Sequence, residues 1–403
     1  MLSEALGWIC LIPVIGGSLH AILCLLAVLR FHPRPQERAS NERNWPPVTI
    51  LKPVHGLEKN LRGNLRSACL QDYPEFEVVF SVQQADDPAL PILHELQQEW
   101  GRERVTVAIE QRRAGANGKI NNLLGGLAHA RYETLVISDS DVALRPDYLK
   151  TIVAPLADPS VGCVCTLYKA ARANTWFEKM ELLTLNTDFL PNLVFAHITG
   201  ASRFCLGAST ALRRSTLEAI GGLEALADYL VEDYEMGRRI RLSGKRIALV
   251  PYCVDTMVDL KTPSQWWSHQ VYWDQNTRAA RPVGFFFTVL IRSVPFALLF
   301  ALTRLADPVG LAILGGALTI RLATAGIIMG WGFGDREGLR SLPLLPFRDV
   351  AGVATWLLAF TKRTTIWRGS EFILTRDGRL VSLEAGACEN SSSPATTSVW
   401  PSP

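Results

Sequence analysis

The sequence predicts an α/β fold in which a mostly parallel sheet is flanked by helices and carries transmembrane helices at its N- and C-terminal ends. Between about Val48 and Arg281, short apolar runs alternate with amphipathic stretches, a pattern typical of strand-helix-strand units. Long apolar stretches lie at both ends of the chain. Aspartates follow several of the apolar runs, and the carboxyl ends of parallel strands are where such sheets bind ligands.

The composition of the 403 residues excludes two classes of protein. Hydrophobic residues make up 48% of the chain and charged residues only 20%, which is too apolar for an intrinsically disordered protein. Lys and Arg number 41 against 38 Asp and Glu, a formal net charge of +3. A charge this small does not attract nucleic acid over the whole surface, so we expect no nucleic-acid partner.

Residues 1–30 are predicted to form an N-terminal transmembrane helix. Ala5 to Leu29 is a run of 25 residues without a formal charge, and about 20 apolar residues suffice to cross a bilayer. A cleaved signal peptide is the alternative, but no basic residue precedes the run and no small-residue cleavage site follows it. The positive-inside rule then places the next domain in the cytoplasm and the chain in the cell's inner membrane. The basic residues that carry this argument are Arg30, Arg34, Arg38 and Arg43.

Residues 284–360 are predicted to form a C-terminal membrane region. Its first two pieces, Phe285 to Leu305 and Val309 to Phe333, are long enough to span. Arg292 and Arg321 fall within them, and we expect both to be paired in the packed protein, the alternative being a polar pathway.

The last apolar piece of this region, Leu342 to Phe360, is weaker. Its uninterrupted part, Val350 to Phe360, is too short to cross, so an interfacial or re-entrant segment is favoured and a crossing stays open. Residues 361–403 are predicted to form a basic segment followed by a disordered tail, since Glu384 to Pro403 has little to bury.

Residues 45–283 are predicted to form the α/β domain, including an interfacial helix at 264–281. No P-loop or Rossmann glycine motif follows a predicted strand. The predicted strands are Val48–Lys52, Glu77–Val82, Arg104–Ile109, Thr134–Ser138, Val161–Thr166 and Arg246–Val250, and helices fill most of the gaps between them.

Asp139 and Asp141 directly follow the strand Thr134–Ser138. Two carboxylates one residue apart at a strand end can bind the same hard cation, and Mg²⁺ or Mn²⁺ prefers oxygen ligands while it also holds substrate phosphates. An Asp-x-Asp pattern alone is common in caps and turns, so the prediction of a cation site depends on the residues around the pair.

Lys119 lies near the start of a predicted helix, a favourable place for an anion. A solvated surface lysine is the simpler reading of this residue alone. Glu232 and Asp233 lie at another predicted helix start, where acidic residues also serve as ordinary caps.

Ser264 to Arg281 combines aromatic and basic residues, which suits a helix at a membrane surface beside an active site, although core packing is an equal alternative. The residues concerned are Trp266, Trp267, Tyr272, Trp273, Arg278 and Arg281. The eight cysteines form no CxxC pair and are predicted to be reduced and buried, with Cys163 and Cys165 on one face of a strand.

In combination, these motifs resemble the ceramide glucosyltransferase family (glycosyltransferase family 21) and, within it, the bacterial hopanoid-biosynthesis branch. The resemblance covers about Trp45 to Arg281, with flanking spans in matching order. Its motifs are Ile50-Leu51-Lys52-Pro53, Asp86-Asp87-Pro88, Gly118-Lys119-Ile120-Asn121-Asn122-Leu123, Ser138-Asp139-Ser140-Asp141 and Glu232-Asp233-Tyr234.

The resemblance implies a GT-A nucleotide-sugar-binding domain on a membrane platform. By matching position, Asp87 holds the nucleotide, Asp139 contacts nucleotide and metal, Asp141 is a further metal ligand and Asp233 is the catalytic base. Lys119 is assigned to the nucleotide-sugar side, and Glu232, Tyr272, Trp273 and Arg278 to the acceptor and diphosphate side. The family's Gln/Arg-x-x-Arg-Trp motif reads His269-Gln270-Val271-Tyr272-Trp273 here, so tyrosine replaces the arginine. Arg278 is the candidate for the missing charge.

The resemblance also implies an activity: metal-dependent, inverting transfer of a sugar from a UDP-sugar to the hydroxyl of a membrane lipid. The expected pair is UDP-N-acetylglucosamine and bacteriohopanetetrol, with UDP-glucose and ceramide as the alternative. A non-catalytic membrane protein that retains the fold is a lesser alternative, for which Tyr272 is the main argument.

Overall fold

The computed structural model describes residues 2–31, 44–201, 204–361, 364–367, 370–375 and 378–382. Three of the four arginines behind the topology argument, Arg34, Arg38 and Arg43, and the predicted tail Glu384–Pro403 lie outside these residues.

An eight-stranded mixed sheet forms the centre of the chain, with strand order β3-β2-β1-β4-β7-β6-β8-β5. The pairs β1–β2, β2–β3, β1–β4 and β6–β8 are parallel, and β7 runs antiparallel between β4 and β6. Every residue of β1, β2 and β4 is buried, because helices cover both faces of the sheet. The strands are β1 (Val48–Pro53), β2 (Phe76–Val82), β3 (Val105–Ile109), β4 (Thr134–Ser138), β5 (Val142–Ala143), β6 (Val161–Arg172), β7 (Ser209–Arg213) and β8 (Arg246–Met257).

The helices fall into those that cover the sheet and those of the membrane region. The first group is α2 (Leu61–Cys69), α3 (Leu90–Trp100), α4 (Gly118–Ala128), α5 (Tyr148–Val153), α6 (Trp176–Thr184), α7 (Leu190–Ile198), α8 (Arg214–Ala219), α9 (Glu232–Leu242) and α10 (Pro263–Ala280). The second is α1 (Leu2–Phe31), α11 (Pro282–Phe287), α12 (Ser293–Thr303), α13 (Pro308–Ile327), α14 (Arg336–Ser341) and α15 (Leu345–Thr361).

The predicted α/β class is confirmed, and each predicted strand is present: β2 begins at Phe76 and β3 at Val105, each one residue from its predicted start, and the others begin where predicted. Two strands are longer than predicted at their carboxyl ends: β6 continues to Arg172 and β8 to Met257. The short strands β5 and β7 were not predicted.

Among the residues that the structure describes, three helices are long and apolar enough to cross a membrane: Gly7–Arg30, Pro308–Gly332 and Arg336–Thr361. The predicted span Phe285–Leu305 is not one straight helix. Pro282–Ile291 and Ser293–Thr303 meet at a bend of 53°, and the backbone at Arg292 is not helical, with φ −96° and ψ 83°.

The piece judged too short to cross is part of a 26-residue helical segment, Arg336–Thr361. In the sequence, Pro343 and Pro346 interrupt the apolar run before Val350 and are the reason that only Val350 to Phe360 counts as uninterrupted. In the structure each lies in the first turn of a helical element, where proline costs no hydrogen bond.

Arg321 is paired, as expected. Its Nε lies 2.8 Å from Oδ2 of Asp349, and its Nη2 lies 2.5 Å from Oδ1 of Asp188. Arg348 contacts the same two carboxylates. The expectation is wrong for two atoms of Arg292: Nε and Nη1 are buried without a hydrogen-bond acceptor in the part of the chain that the structure describes.

A small antiparallel sheet follows the last long helix and was not predicted. Its strands are β9 (Thr364–Trp367), β10 (Ser370–Leu374) and β11 (Leu380–Ser382). The N–H of Leu380 donates to the carbonyl of Asp228 at 2.8 Å, and the N–H of Leu230 donates to the carbonyl of Gly378 at 3.1 Å. The C-terminal sheet therefore packs on the loop that leads into α9.

Candidate active site

Asp87 ties together the loops that follow β1 and β2. The side chain is buried, and both its carboxylate oxygens accept from the N–H of Gly56 at 3.1 Å. Oδ1 also accepts from the N–H of Ala89 at 2.9 Å, and His55 Nδ1 lies 3.5 Å from Oδ2. Neighbouring Asp86 is exposed. Asp87 thus shapes the edge of the sheet through backbone hydrogen bonds.

Asp139 and Asp141 lie in the turn after β4, as predicted. The hydroxyl of Thr256, near the end of β8, donates to Oδ2 of Asp141 at 2.6 Å. Burial raises the pKa of Asp141, and the adjacent negative charge of Asp139 raises it further. The two carboxylates therefore lie close enough to repel each other.

Lys52 lies beneath this turn and is completely buried at the end of β1. Its Nζ donates to the carbonyls of Asp139 at 2.7 Å and Val142 at 2.9 Å. Burial lowers the pKa of Lys52 to about 8, while the charges of Asp141 and Asp139 oppose that shift. Lys52 thereby fixes the backbone that presents the two aspartates.

Lys119 connects the aspartate turn to the start of α9. Its Nζ lies 2.7 Å from Oδ1 of Asp139 and 3.1 Å from Oε1 of Glu232, and it donates to the carbonyl of Gly207 at 3.1 Å. The charges of Asp139 and Glu232 raise the pKa of Lys119 even though burial opposes them. The lysine is therefore a fixed cation among several acids.

Asn117 fixes the start of α4 and hence the place of this lysine. Its side-chain oxygen accepts from the N–H groups of Lys119 and Ile120, the ordinary role of an N-cap. Its Nδ2 donates to the carbonyl of Tyr229 at 2.8 Å and to Oε2 of Glu232 at 3.3 Å. One asparagine thus positions both the lysine and a glutamate.

Asp233 lies in the first turn of α9, and its Oδ1 accepts from the N–H of Tyr234 at 2.7 Å. Burial and the negative charge of Glu232 raise the pKa of Asp233 to about 7. Asp233 lines a small cavity together with Lys119, Glu232 and Gly207. Since a Cβ at Gly207 would lie 3.1 Å from Oδ2 of Asp233, the glycine lets its backbone approach and hydrogen-bond this carboxylate closely.

A row of aromatic rings links this site to α10. Tyr168, on the extended part of β6, is buried, and its ring centroid lies 4.9 Å from that of Phe189. Phe189 lies 6.2 Å from Trp273 of α10. Burial, followed by the charges of Asp233 and Asp139, raises the pKa of Tyr168, which places its ring beside the carboxylates.

The segment with the altered family motif is held by one buried glutamate. Glu181 of α6 accepts from Gln270 and lies 3.1 Å from Nδ1 of His269. Trp273 Nε1 donates to His269 Nε2 at 3.2 Å, and Tyr272 stacks on the imidazole with centroids 6.3 Å apart. Tyr272 also packs on the apolar cluster that joins Leu230 to the C-terminal sheet.

Arg278 lies near the end of α10, with its guanidinium carbon 5.7 Å from the centroid of the Phe360 ring. Its assignment to the diphosphate therefore stays a prediction. The structure brings Lys119, Asp139, Glu232 and Asp233 together, and places Tyr272 and Trp273 on the helix beside them.

The sequence argument gave no site role to Lys52, Thr256, Tyr168 or Glu181. A lysine inside the apolar run Ile50 to Pro53 was a usable signal for the first of them. Thr256 and Tyr168 lie on strand ends that the sequence argument left out, so no local pattern pointed to them.

The donor set of Asp139 and Asp141 fits a hard divalent cation, because both ligands are carboxylates and their mutual repulsion would be relieved by a positive charge. A carboxyl group with a pKa near neutrality, a half-buried lysine and a pair of neighbouring carboxylates at the carboxyl edge of a sheet are groups that can serve transfer from a diphosphate donor.

The fold is that of GT-A glycosyltransferases. The structure of the mannosyltransferase PcManGT from Pyrobaculum calidifontis, solved with GDP-Man and Mn²⁺, superimposes with a TM-score of 0.53 and 21% sequence identity. The superposition covers 88% of this chain and 99% of that one. The model of Glycosyl transferase family 21 matches residues 10–380, so the chain belongs to this family.

The chain is also similar in sequence to several curated proteins. Ceramide glucosyltransferase 1 of Caenorhabditis elegans is 25% identical over 232 residues, which cover 57% of this chain and 48% of that protein. Ceramide glucosyltransferase of Candida albicans is 28% identical over 130 residues, covering 29% and 24%. Poly-beta-1,6-N-acetyl-D-glucosamine synthase of Staphylococcus aureus is 19% identical over 253 residues, covering 62% and 60%. The matched region is about half the length of the first of these relatives.

Proposed function

We propose that this chain transfers a hexose from a UDP-sugar to the hydroxyl of a membrane lipid at the cytoplasmic face of the membrane, with inversion at the anomeric carbon. The observation that carries the proposal is the contact of Lys119 with both Asp139 and Glu232, beside Asp233 with its pKa of about 7. This arrangement joins a phosphate-binding cation to a base in one site.

The acidic residues of the site are proposed to have two roles, one toward the leaving diphosphate and one toward the acceptor. Asp139 and Asp141 would hold Mg²⁺ or Mn²⁺, which supplies positive charge to the departing diphosphate; the Mn²⁺ of PcManGT supports this choice. Lys119 contributes a second positive charge from the N-terminus of α4, where the helix dipole also favours an anion. Asp87, which orders the loop after β1, is assigned to the nucleotide.

Asp233 is the proposed base. As the acceptor oxygen forms its bond to the anomeric carbon and the bond to UDP breaks, the hydroxyl proton moves to Asp233. Attack opposite the leaving group inverts the anomeric centre in a single displacement. The small cavity that Asp233 lines is the proposed place of the acceptor hydroxyl.

The acceptor is proposed to enter along α10 from the bilayer. This helix packs on α15, inside the candidate span Arg336–Thr361, and carries Trp273 toward the aromatic row that reaches Tyr168. An amphiphile could therefore keep its apolar part in the membrane while its hydroxyl meets Asp233.

For the substrates we propose UDP-N-acetylglucosamine and bacteriohopanetetrol as the first pair, a choice that follows the motif resemblance to the hopanoid branch. The second candidate is UDP-glucose with ceramide, favoured by the names of the curated relatives. Both pairs use the same proposed site.

The test is direct assay of the purified full chain in lipid nanodiscs. Radiolabelled UDP-N-acetylglucosamine and UDP-glucose are each offered with bacteriohopanetetrol or ceramide, and lipid products are identified by mass spectrometry. We expect one β-linked glycolipid that is lost in Asp233→Asn. Absence of glycolipid with every pair, in a protein that still binds UDP, would refute the proposal.

A further inference from the structure

Three buried cysteines that take no part in the acidic site meet in the core of the domain. Cys163 and Cys165 lie one residue apart on β6, so their side chains point to the same face. Cys205 reaches that face from the segment before β7. The three sulfur atoms lie within 4.8 Å of one another, and those of Cys163 and Cys205 are 3.0 Å apart.

Each of these side chains is withdrawn from water: the exposed fraction is 0% for Cys163, 1% for Cys165 and 0% for Cys205. All three are free thiols. No other group of three potential ligand atoms from His, Cys, Asp or Glu is this close within residues 2–31, 44–201, 204–361 and the described C-terminal strands. Among the residues that the structure describes, this group of three cysteines is therefore the candidate for a metal site with sulfur ligands.

We propose that Cys163, Cys165 and Cys205 form a binding site for a soft, thiophilic metal ion such as Zn²⁺. Zinc–sulfur bonds of about 2.3 Å at tetrahedral angles separate two sulfur ligands by ~3.8 Å. The sulfur atoms of Cys163 and Cys205, now 3.0 Å apart, would separate by less than ~1 Å to reach that distance, and all three sulfurs already lie within 4.8 Å of one another, so small side-chain movements suffice.

The surroundings of Cys165 support the assignment. The N–H of Leu206 donates to its sulfur at 3.4 Å, and the hydroxyl of Thr210 lies 3.4 Å from the same atom. The Leu206 N–H is the kind of outer contact that tunes a metal-bound thiolate, whereas the Thr210 hydroxyl donates its proton to the carbonyl of Leu206 at 2.8 Å. On binding, cysteine thiols release protons to solvent as sulfur–metal bonds form, and no electron is transferred.

The site would also brace the proposed catalytic region. Cys205 is two residues from Gly207, whose carbonyl accepts from Lys119. Gly237 of α9 packs so closely on this segment that a Cβ there would lie 2.4 Å from the nitrogen of Cys205. A metal ion would therefore join β6 to the segment against which the helix carrying Asp233 packs.

The experiment measures bound metal rather than turnover. The full chain is purified in detergent with Zn²⁺ supplied during expression, dialysed, and analysed by elemental mass spectrometry. We expect equimolar zinc in the wild type and in Cys69→Ser, which removes a buried cysteine of α2 outside the cluster. Cys163→Ser combined with Cys205→Ser is expected to lose it. Asp139→Asn is expected to keep it, which separates this site from the carboxylate pair.

A second measurement does not depend on the variants folding. Metal-free wild-type protein is titrated with Co²⁺, and cobalt–thiolate charge-transfer absorption is expected to saturate at one equivalent. Zinc well below equimolar together with no such absorption would overturn the proposal, as would a Cys163–Cys205 disulfide in protein purified without oxidant. Equimolar zinc retained in the double serine variant would overturn it too.

Discussion

The ammonium of Lys119 lies 2.7 Å from Oδ1 of Asp139, although the two residues come from different elements, the start of α4 and the turn after β4. The same ammonium contacts Glu232 at 3.1 Å. This ion pair therefore sets the separation between the acids proposed for the diphosphate and those proposed for the acceptor.

Removal of this cation should weaken donor binding and change the pH profile. Hydrogen bonds to charged groups contribute about 1.5–3 kcal/mol, so Lys119→Met should raise KM for the UDP-sugar by about 10- to 100-fold. The positive charge of Lys119 also lowers the pKa of Asp233, so the apparent pKa of kcat/KM should rise in the variant. Lys119→Arg, which keeps the charge, is the control. Unchanged KM and an unchanged pH profile in Lys119→Met would contradict this role.

Activity should depend on the ionisation of Asp233. Its pKa is raised to about 7, and only the deprotonated carboxylate can accept a proton, so kcat/KM should increase as pH rises through about 7 and level off above it. Asp233→Asn should lower kcat by about 10²-fold or more with UDP affinity nearly unchanged. Steady-state rates and UDP titrations measure both quantities.

The same raised pKa predicts a stability change. In the unfolded chain the carboxyl group of Asp233 loses its proton at a pH of about 3.9, whereas in the native protein it keeps the proton up to about pH 7. Between these two pH values the native protein therefore binds more protons than the unfolded chain. Stability should therefore decrease as pH rises through this window, and Asp233→Asn should lessen that decrease. An identical pH dependence of Tm in both proteins would contradict the raised pKa.

Thr256→Val tests the support of Asp141. The hydroxyl of Thr256 donates to this carboxylate at 2.6 Å and lowers its pKa against the effect of burial. Without the bond, the concentration of Mn²⁺ for half-maximal activity should rise about tenfold, while kcat at saturating Mn²⁺ changes little. Thr256→Ser keeps the hydroxyl and should resemble the wild type. If the valine variant needs no more Mn²⁺ than the serine variant, Asp141 is not a metal ligand.

The comparison with the sequence shows what local patterns predict. The apolar run before Asp139 and the polar residues around Asn117 mark a strand end and a helix start, and both lie where expected. The carboxyl end of β8 was missed because Pro251 directly follows the predicted strand, and that of β6 was missed because the apolar run is interrupted by Lys169 and Arg172. Tyr168 and Thr256 lie on these strand ends, so the sequence did not predict them as site residues. The C-terminal sheet was missed because its contact with Leu230 comes from residues about 150 positions apart, which no local pattern reports.

That contact leads to a further prediction. Phe372 is 7% exposed and packs with Leu230 and Leu380 beside Tyr272, whereas the next residue, Ile373, is 39% exposed. Truncating a buried phenylalanine to alanine costs about 3–5 kcal/mol, enough to release a small sheet. Phe372→Ala should therefore make residues 364–382 sensitive to limited proteolysis without lowering the Tm of the main domain. Ile373→Ala should leave the digestion pattern unchanged, and equal sensitivity of the two variants would show that the cluster does not anchor the sheet.

The final prediction concerns the charge lost with the family's arginine. Tyr272 stacks on His269, and Arg278 lies near the end of the same helix, over Phe360. If Arg278 supplies the cation for the departing diphosphate, Arg278→Ala should slow transfer, and Tyr272→Arg should restore the rate in that background. Tyr272→Lys is the control, because a lysine supplies charge without the planar fork that binds phosphate oxygens in pairs. Single-turnover rates at saturating donor isolate the chemical step. A silent Arg278→Ala together with a faster Tyr272→Arg would mean that the charge has not moved along the helix, and that this chain works with a weakened diphosphate site.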